Sequence, residues 1–148
     1  MTTYAVKVDD YGTKRWFLND KLHRVDGPAI EYANGSKRWY LNDKLHRTDG
    51  PAIEWADGTK SWFLDGKRHR TDGPAVLESA NGTKRWYLND KLHRTDGPAI
   101  EWADGTKSWF LNDKQLTEAQ WLEAVKPKQS CAGKVVEVDG KKYRLVEA

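Results

Sequence analysis

The chain has 148 residues, of which 25 are basic and 22 are acidic, so its formal net charge is only +3. The charges are interleaved rather than grouped, and a weak, dispersed positive charge is not typical of a dedicated nucleic-acid binder. No stretch approaches the ~18 consecutive apolar residues of a membrane-spanning helix. The single cysteine excludes an intrachain disulfide.

The N-terminal residues, MTTYAVKVDD, lack the basic region and apolar run of a signal peptide. We therefore expect no membrane span and a cytoplasmic, reducing environment. Ala5-Val6 followed by Asp10-Tyr11-Gly12 is similar to the second half of the repeat described next. Residues 1–12 are accordingly interpreted as the outgoing strand of an incomplete first unit.

A repeat of about 23 residues occupies most of the chain. The stretch from Lys37 to Leu64 recurs unchanged from Lys84 to Leu111. Such a period is typical of arrays in which each supersecondary unit stacks on its neighbours. Five tryptophans mark the units at spacings of 23, 23, 24 and 23 residues: Trp16, Trp39, Trp62, Trp86 and Trp109.

Each unit carries two strand signals, such as residues 36–41 and 52–55. Two connections join them. Asn34-Gly35 and its equivalents lie between units, and Asn-Gly or Asp-Gly accepts positive φ at both central positions of a tight hairpin. The longer connection, Asn42 to Pro51, is predicted to turn at Asn42-Asp43 and to bend again at Asp49-Gly50-Pro51, where Gly tolerates unusual φ and Pro removes a donor.

Alternation of side chains along a strand assigns two faces. Trp39 is predicted to point to the core face together with Ile53 and Trp55, whereas Arg38 and Tyr40 point to the opposite face. That second face carries the candidate binding residues, which we call the Arg/aromatic row: Arg15, Phe17, Arg38, Tyr40, Phe63, Arg85, Tyr87 and Phe110. The Trp62 unit has one extra residue between Ala75 and Ser79, which predicts a β-bulge.

The repeat pattern stops near residue 114. Thr117 and Gln120 have the spacing of a capping box and Lys126-Pro127 is a stop signal, so we predict a helix from about Glu118 to Lys126 that covers the end of the array. The predicted organisation is an all-β repeat array of about five antiparallel hairpin units over residues 1–114, a capping helix within 115–127, a linker at 128–133 and a final β-hairpin at 134–148.

The repeated combination of Trp39, His46, Gly50, Trp55 and Asp57-Gly58 resembles the MORN-repeat family and its bacterial and viral variants. The likeness covers roughly residues 5–114. It implies consecutive hairpins in an elongated antiparallel sheet that serves as an interaction or scaffold module, with lipid association in some members. The phrase Leu-His-Arg-x-Asp-Gly-Pro-Ala also resembles repeats of uncharacterised phage and large-virus proteins, which implies a viral protein located in the host cytoplasm.

Four histidines recur in the longer connection, each followed by Arg and, two residues later, by Asp: His23, His46, His69 and His93. A metal site needs several ligands at ~2.0–2.1 Å from one ion, whereas equivalent positions two strands apart are separated by ~9–10 Å. We therefore expect no metal, and we interpret the imidazole, Arg and Asp as hydrogen-bonded to one another to stabilise the bend. A pH-sensitive role remains open.

Catalysis is not expected, because an enzyme concentrates unlike groups in one cleft and every polar group here is copied. Cys131, the one singular nucleophile, has no neighbouring His. The sequence predicts a non-enzymatic scaffold without cofactors that binds a protein partner, a host factor if the source is a phage, through the Arg/aromatic row, since Arg, Tyr and Trp are enriched at binding hot spots.

Two alternatives to protein binding remain. The Arg/aromatic row is also suited to nucleic acid or another anionic ligand, although Glu31, Glu54 and Glu101 are predicted to interrupt it. A purely structural role is the second alternative, with homo-oligomerisation through an open sheet edge or the C-terminal hairpin.

Overall fold

The computed structural model describes residues 2–77, 81–127 and 135–144. Most of these residues lie in short antiparallel strands and their turns, and one short helix follows the array. The elements are β1 (Tyr4–Val8), β2 (Lys14–Leu18), β3 (Lys21–Leu22), β4 (Ile30–Glu31), β5 (Lys37–Arg38), β6 (Tyr40–Leu41), β7 (Lys44–Leu45), β8 (Ile53–Glu54), β9 (Lys60–Ser61), β10 (Phe63–Leu64), β11 (Lys67–Arg68), β12 (Val76–Leu77), β13 (Lys84–Arg85), β14 (Tyr87–Leu88), β15 (Lys91–Leu92), β16 (Ile100–Glu101), β17 (Lys107–Leu111), β18 (Lys114–Leu116), α1 (Glu118–Val125), β19 (Val135–Val138) and β20 (Lys141–Arg144).

One long sheet runs through the array in the order β1-β2-β4-β5-β8-β9-β12-β13-β16-β17-β18, and β3 pairs with β2. The pairs β6–β7, β10–β11 and β14–β15 form small two-stranded ladders of their own. Because each unit contributes two strands to the long sheet and one small hairpin, the predicted all-β array of consecutive hairpin units is confirmed. No helix within the described residues has the length and hydropathy needed to cross a membrane.

Each unit is one long hairpin in which the strand pairing is divided at the tryptophan into two separate ladders. In the Trp39 unit, β5 pairs with β8 on one side of the tryptophan, and β6 pairs with β7 on the other. The Trp39 backbone belongs to both parts, since its N–H donates to the Ala52 carbonyl (2.8 Å) and its carbonyl accepts from the His46 N–H (3.1 Å). Asn42 and Asp43 have φ of 50° and 64°, so the small hairpin closes through a two-residue turn with positive φ at both positions, which Asn and Asp tolerate.

The small hairpins of successive units are also hydrogen-bonded to each other. The Arg47 N–H donates to the Phe63 carbonyl (3.1 Å), and the Gly66 N–H donates to the Leu45 carbonyl (2.8 Å). Each unit therefore contacts the next twice, once in the long sheet and once between small hairpins. This double connection is the physical basis for stacking units that are too small to fold alone.

The turns between units differ from the predicted two-residue form. The Tyr32 N–H donates to the Ser36 carbonyl (2.9 Å) and the Gly35 N–H donates to the Tyr32 carbonyl (3.0 Å), which leaves three residues in the loop. Gly35 has φ of 88°, whereas Asn34 uses its side chain to accept from the Ser36 N–H (2.9 Å). This is the three-residue hairpin loop in which only the last residue needs positive φ.

The extra loop residue makes the predicted assignment of faces wrong for the second strand of each unit. Across this loop Ile30 pairs with Arg38 and Glu31 pairs with Lys37, and on the other side of β5 Ile53 also pairs with Arg38. Ile30 and Ile53 therefore lie on the Arg38 side, and Glu31 and Glu54 on the Trp39 side. A register change of one residue moves every side chain of a strand to the other face. The buried aliphatic residues are Ala29, Ile30, Ala52, Ile53, Ala75, Ala99 and Ile100, whereas the repeat tryptophans keep an intermediate exposure.

The predicted capping helix is confirmed as α1. The Thr117 hydroxyl accepts from the Gln120 N–H, and the Gln120 side chain accepts from the Thr117 N–H, so the capping box is complete. Trp121 is only 6% exposed, and its ring lies 4.6 Å from that of Trp109. The indole N–H also donates to the Arg94 carbonyl (2.9 Å).

The final hairpin is confirmed as β19–β20, with positive φ at Asp139 and Gly140 as an Asp-Gly turn requires. The predicted linker with Cys131 and the bulge expected before Ser79 lie outside the described residues. On the described side of that bulge, Val76 keeps the register of the array, because it pairs with both Ser61 and Arg85.

Candidate functional site

The three arginines of the Arg/aromatic row lie on one face of the long sheet. Reading the register across the sheet gives an alternation of polar and aliphatic residues on that face: Arg15, Ile30, Arg38, Ile53, Ser61, Val76, Arg85, Ile100 and Ser108. The face is therefore less polar than the sequence predicted, because the isoleucines expected behind it form its floor.

The aromatic members of the row continue this face onto the small hairpins. Each follows an Arg or Ser of the row by two residues, so the side chains point to the same side. Their cross-strand partners are Leu22, Leu45, Arg68, Leu92 and Gln115, opposite Phe17, Tyr40, Phe63, Tyr87 and Phe110. The Trp62 unit is thus distinct, since it places an arginine where three other units have leucine.

A groove of about 560 Å³ opens on this face around the Trp62 unit. Its lining consists of Ile53, Trp55, Ser61, Phe63, Arg68, Val76, Arg85, Tyr87 and Asp90. We call it the Arg68 groove. Ser61 occupies the ladder position that Arg38 and Arg85 occupy in neighbouring units, and it lies with Ile53 at the bottom of the groove, where they are 3% and 6% exposed.

Arg68 is held at the rim of the groove by the next unit. Its Nε–H donates to Asp90 Oδ1 (3.2 Å), and its backbone N–H donates to the same oxygen (2.9 Å). Its guanidinium carbon lies 4.4 Å from the centre of the Tyr87 ring, within the range of a cation–π contact. The rim therefore presents a positioned guanidinium, a carboxylate and an aromatic ring side by side.

Other arginines of the row are also compensated. The Arg15 Nη1–H donates to Asp9 Oδ2 (2.9 Å), and this bond, with a further one from the Thr13 N–H, holds the pKa of Asp9 below its ordinary value. The Arg38 guanidinium lies 5.2 Å from the Tyr32 ring. Because acids and aromatic rings accompany these arginines, the face is a poor electrostatic match for a phosphate backbone.

The opposite face is built around the bend of each unit. In the Trp39 unit, the Arg47 guanidinium lies 4.0 Å from the centre of the Trp39 ring. It donates to Asp49 (2.8 Å), to the Pro51 carbonyl (3.2 Å) and to Glu54 (3.0 Å). The same stack joins Arg24 to Trp16, Arg70 to Trp62 and Arg94 to Trp86.

Gly50 makes this stack possible by its lack of a side chain. A Cβ at Gly50 would lie 2.9 Å from the Arg47 guanidinium carbon, too close for either group to stay in place. Gly50 is not among the residues with positive φ, so the prediction that it serves an unusual φ is wrong. Clefts of about 570, 440 and 610 Å³ separate consecutive bends, and the Arg and Asp side chains that line them are bonded within their own bends.

The histidines link units rather than stabilise their own bends, so the prediction is wrong for the imidazole, whereas its Arg–Asp part is confirmed by the Arg47–Asp49 bond. His46 Nδ1 accepts from the Asp65 N–H (3.1 Å) and lies 3.0 Å from Asp65 Oδ1, in the turn of the next unit. His23, His69 and His93 make the equivalent backbone bond to Asn42, Asn89 and Asn112. Over the ranges that the structure describes, no group of three or more His, Cys, Asp or Glu is placed to hold a metal ion.

The Arg68 groove brings together three predicted residues, Phe63, Arg85 and Tyr87. The other members of the row, Arg15, Phe17, Arg38, Tyr40 and Phe110, lie on the same face in other units. Sequence reasoning missed Arg68, Trp55 and Asp90. The signal for Arg68 was present, because Lys-Arg-His-Arg replaces Lys-Leu-His-Arg in this unit alone.

No protein-family model matches the chain, and no curated protein shows significant similarity to it. The inference of function therefore rests on the residues and geometry of the Arg68 groove.

Proposed function

We propose that this protein is a non-enzymatic, MORN-like repeat scaffold that binds a protein partner through the Arg68 groove. The lining of the groove carries the proposal: Trp55, Phe63 and Tyr87 surround an aliphatic floor, and Arg68 stands at the rim. Aromatic residues and arginine around a pocket that excludes water are the composition of binding hot spots between proteins.

The position of the groove in the array supports this assignment. Most residues of the exact repeat have a stacking role: the Arg–Trp stacks, the His links and the buried Ile and Ala recur from unit to unit. The groove instead lies where the Trp62 unit departs from its neighbours, through Ser61 and Arg68. A partner that bound only repeated features would meet several equivalent sites, whereas the Arg68 groove offers it one.

The lining also defines the chemistry of the partner. An apolar or aromatic side chain of the partner packs between Trp55, Phe63 and Val76, above the buried Ile53 and Ser61. Acceptor groups beside it meet Arg68, and a donor meets Asp90. The pairing of Arg68 with Asp90 favours such a mixed protein surface over nucleic acid, which supplies acceptors along its whole backbone. If the source is a phage, we propose that the partner is a host protein.

The test uses Ser61→Arg, which fills the groove with the residue that the array itself carries at Arg38 and Arg85. Arg38 already lies between Ile30 and Ile53 in the same ladder, so the array accommodates arginine at this ladder position. Because Ser61 itself is only 3% exposed, circular dichroism checks that the variant is folded. Ser108→Arg, at the equivalent position of the Trp109 unit, is the matched control. We expect the proteins captured from a host lysate by the wild type to fall at least about tenfold with Ser61→Arg, which corresponds to 1.4 kcal/mol or more, and to remain with Ser108→Arg.

Quantitative mass spectrometry of the captured proteins, followed by calorimetry with the enriched one, measures this difference. Equal capture by the wild type and Ser61→Arg contradicts the proposal. So does binding that disappears after nuclease treatment and falls steeply with salt, because that behaviour identifies nucleic acid as the ligand.

A further inference from the structure

Among the described residues, β1 forms an unpaired edge of the long sheet. Strand β1 is the first strand in the order of the long sheet. Its Tyr4, Val6 and Val8 side chains are 75%, 55% and 62% exposed. Exposed edges with apolar side chains are sites at which another strand can pair.

The backbone of β1 presents hydrogen-bonding groups along this edge. The Thr3 carbonyl accepts from the Asn19 N–H (2.8 Å), and the Asp9 N–H donates to the Thr13 carbonyl (3.1 Å). Antiparallel strands bond through alternate residues, so the odd-numbered residues of β1 face β2. The N–H and C=O groups of Tyr4, Val6 and Val8 therefore point away from the sheet.

An apolar surface continues from this edge. Tyr4, Val6 and Trp16 contribute to a cleft of about 370 Å³ that also reaches Val25. Val25 is 82% exposed and stands where the next three units have threonine. His23, Arg24 and Asp26 also line the cleft, so its apolar part is the exposed side chains of Tyr4, Val6 and Val25.

We propose that β1 pairs with β1 of a second copy of this chain, antiparallel about a two-fold axis at Val6. The two long sheets then form one continuous sheet. In this register Val6 lies opposite Val6 of the second copy, and Tyr4 lies opposite its Val8. All three outward-facing residues exchange backbone hydrogen bonds, and their side chains form one apolar stripe on a single face.

Charge and register favour a second copy in this alignment. Lys7 lies opposite Ala5 of the second copy, so no like charges meet. Centring the axis on Lys7 would place two lysines directly opposite each other, which is destabilising. Centring it on Ala5 would place Val8 opposite the polar Thr2 instead of an apolar residue. The sequence of β1 is thus self-complementary about Val6, as an isologous two-fold contact requires.

A charge-swap experiment on the full chain tests this register. We expect the wild type to have twice the 17.0 kDa mass of one chain in light scattering coupled to size-exclusion chromatography. Val6→Lys and Val6→Glu each place like charges at the two-fold axis, so each alone should have the mass of one chain. An equimolar mixture of the two variants should recover the dimer, because Lys then lies opposite Glu. Circular dichroism confirms that each variant is folded.

The recovery step keeps the test informative even if a single variant is less stable. A wild type that stays at 17.0 kDa at every concentration overturns the proposal, and so does a mixture that remains monomeric. A dimer that persists in Val6→Lys also overturns it and places the contact elsewhere, such as the β19–β20 hairpin. This inference is independent of the Arg68 groove.

Discussion

At the C-terminal end of the array, Trp121 takes the place on Trp109 that an arginine takes on each of the other four repeat tryptophans. At the N-terminal end, β1 pairs with β2 alone among the described strands and leaves Tyr4, Val6 and Val8 exposed. The C-terminal end thus has both a group that covers its last repeat tryptophan and a side-chain donor to a backbone carbonyl. Trp121 supplies both, since its indole N–H also bonds to the Arg94 carbonyl.

The largest expected effect comes from removing this closing contact. Trp121→Ala deletes a buried side chain, which typically costs about 3–5 kcal/mol, and leaves the Arg94 carbonyl without its indole donor. We expect a loss of about 3 kcal/mol in the free energy of unfolding by urea. Hydrogen exchange should quicken in α1 and the Trp109 unit, so that the C-terminal end comes to behave like the open N-terminal end.

Leu122→Ala is the control, because Leu122 lies on the same helix and is 47% exposed. It should change stability much less than Trp121→Ala. If Trp121→Ala quickens hydrogen exchange equally in all units, Trp121 does not stabilise the C-terminal end in particular. That result would contradict the proposed difference between the two ends of the array.

A smaller effect is expected from the helix cap that positions Trp121. Thr117→Ala removes the hydroxyl that accepts from the Gln120 N–H (3.2 Å), and the loss of such a cap costs about 1 kcal/mol. Thr117→Ser retains the hydroxyl and should retain the stability. Thermal unfolding followed by circular dichroism distinguishes the two substitutions, and equal melting temperatures would show that the cap does not contribute.

Lowering the pH is expected to have the smallest effect on the stability of the fold. The hydrogen bond and charge of the neighbouring arginine hold the pKa of Asp26, Asp49 and Asp72 below the ordinary value of 3.8. A carboxyl whose pKa is lower in the folded chain stabilises the fold above about pH 3.8 and loses this contribution as the pH falls through its folded pKa. The Trp109–Trp121 contact has no titratable group.

We therefore expect the urea midpoint to decrease modestly from about pH 5 to about pH 3. As the pH falls, hydrogen exchange should quicken in the bends before it quickens in α1. Asp49→Asn should reduce this dependence on pH. Loosening of α1 ahead of the bends would contradict the idea that the bends and the cap are held by different chemistry.

Much of this fold could be predicted from the sequence because its signals are local. The Asp-Gly and Asn-Gly dipeptides identified the hairpins, and the spacing of Thr117 and Gln120 identified the capping helix. The faces could not be assigned, because a two-residue and a three-residue loop at Asn34-Gly35 differ by only one residue. That residue decides whether Ile30 lies with Arg38 or with Trp39.

The Arg68 groove was only partly predictable for the same reason. Phe63, Arg85 and Tyr87 follow from alternation along their own strands, whereas Trp55 depends on the register between strands and was placed on the wrong face. Arg68 pairs with Asp90, 22 positions along the chain. A contact between units of this kind follows from how the small hairpins stack and not from any local pattern.

Each histidine bonds to the turn of the following unit, and because this bond is the same at each junction, the array can change in length by whole units. His46 ties its unit to the turn of the next, and the same bond serves every junction from His23 to His93. The stretch Lys37 to Leu64 recurs 47 positions further on, so a block of 47 residues could be inserted or removed without a new kind of junction. Each such block contains four strands of the long sheet and changes its width by ~19 Å, at ~4.8 Å per strand. The number of such blocks therefore sets the distance between Trp121 and β1 in steps of this size.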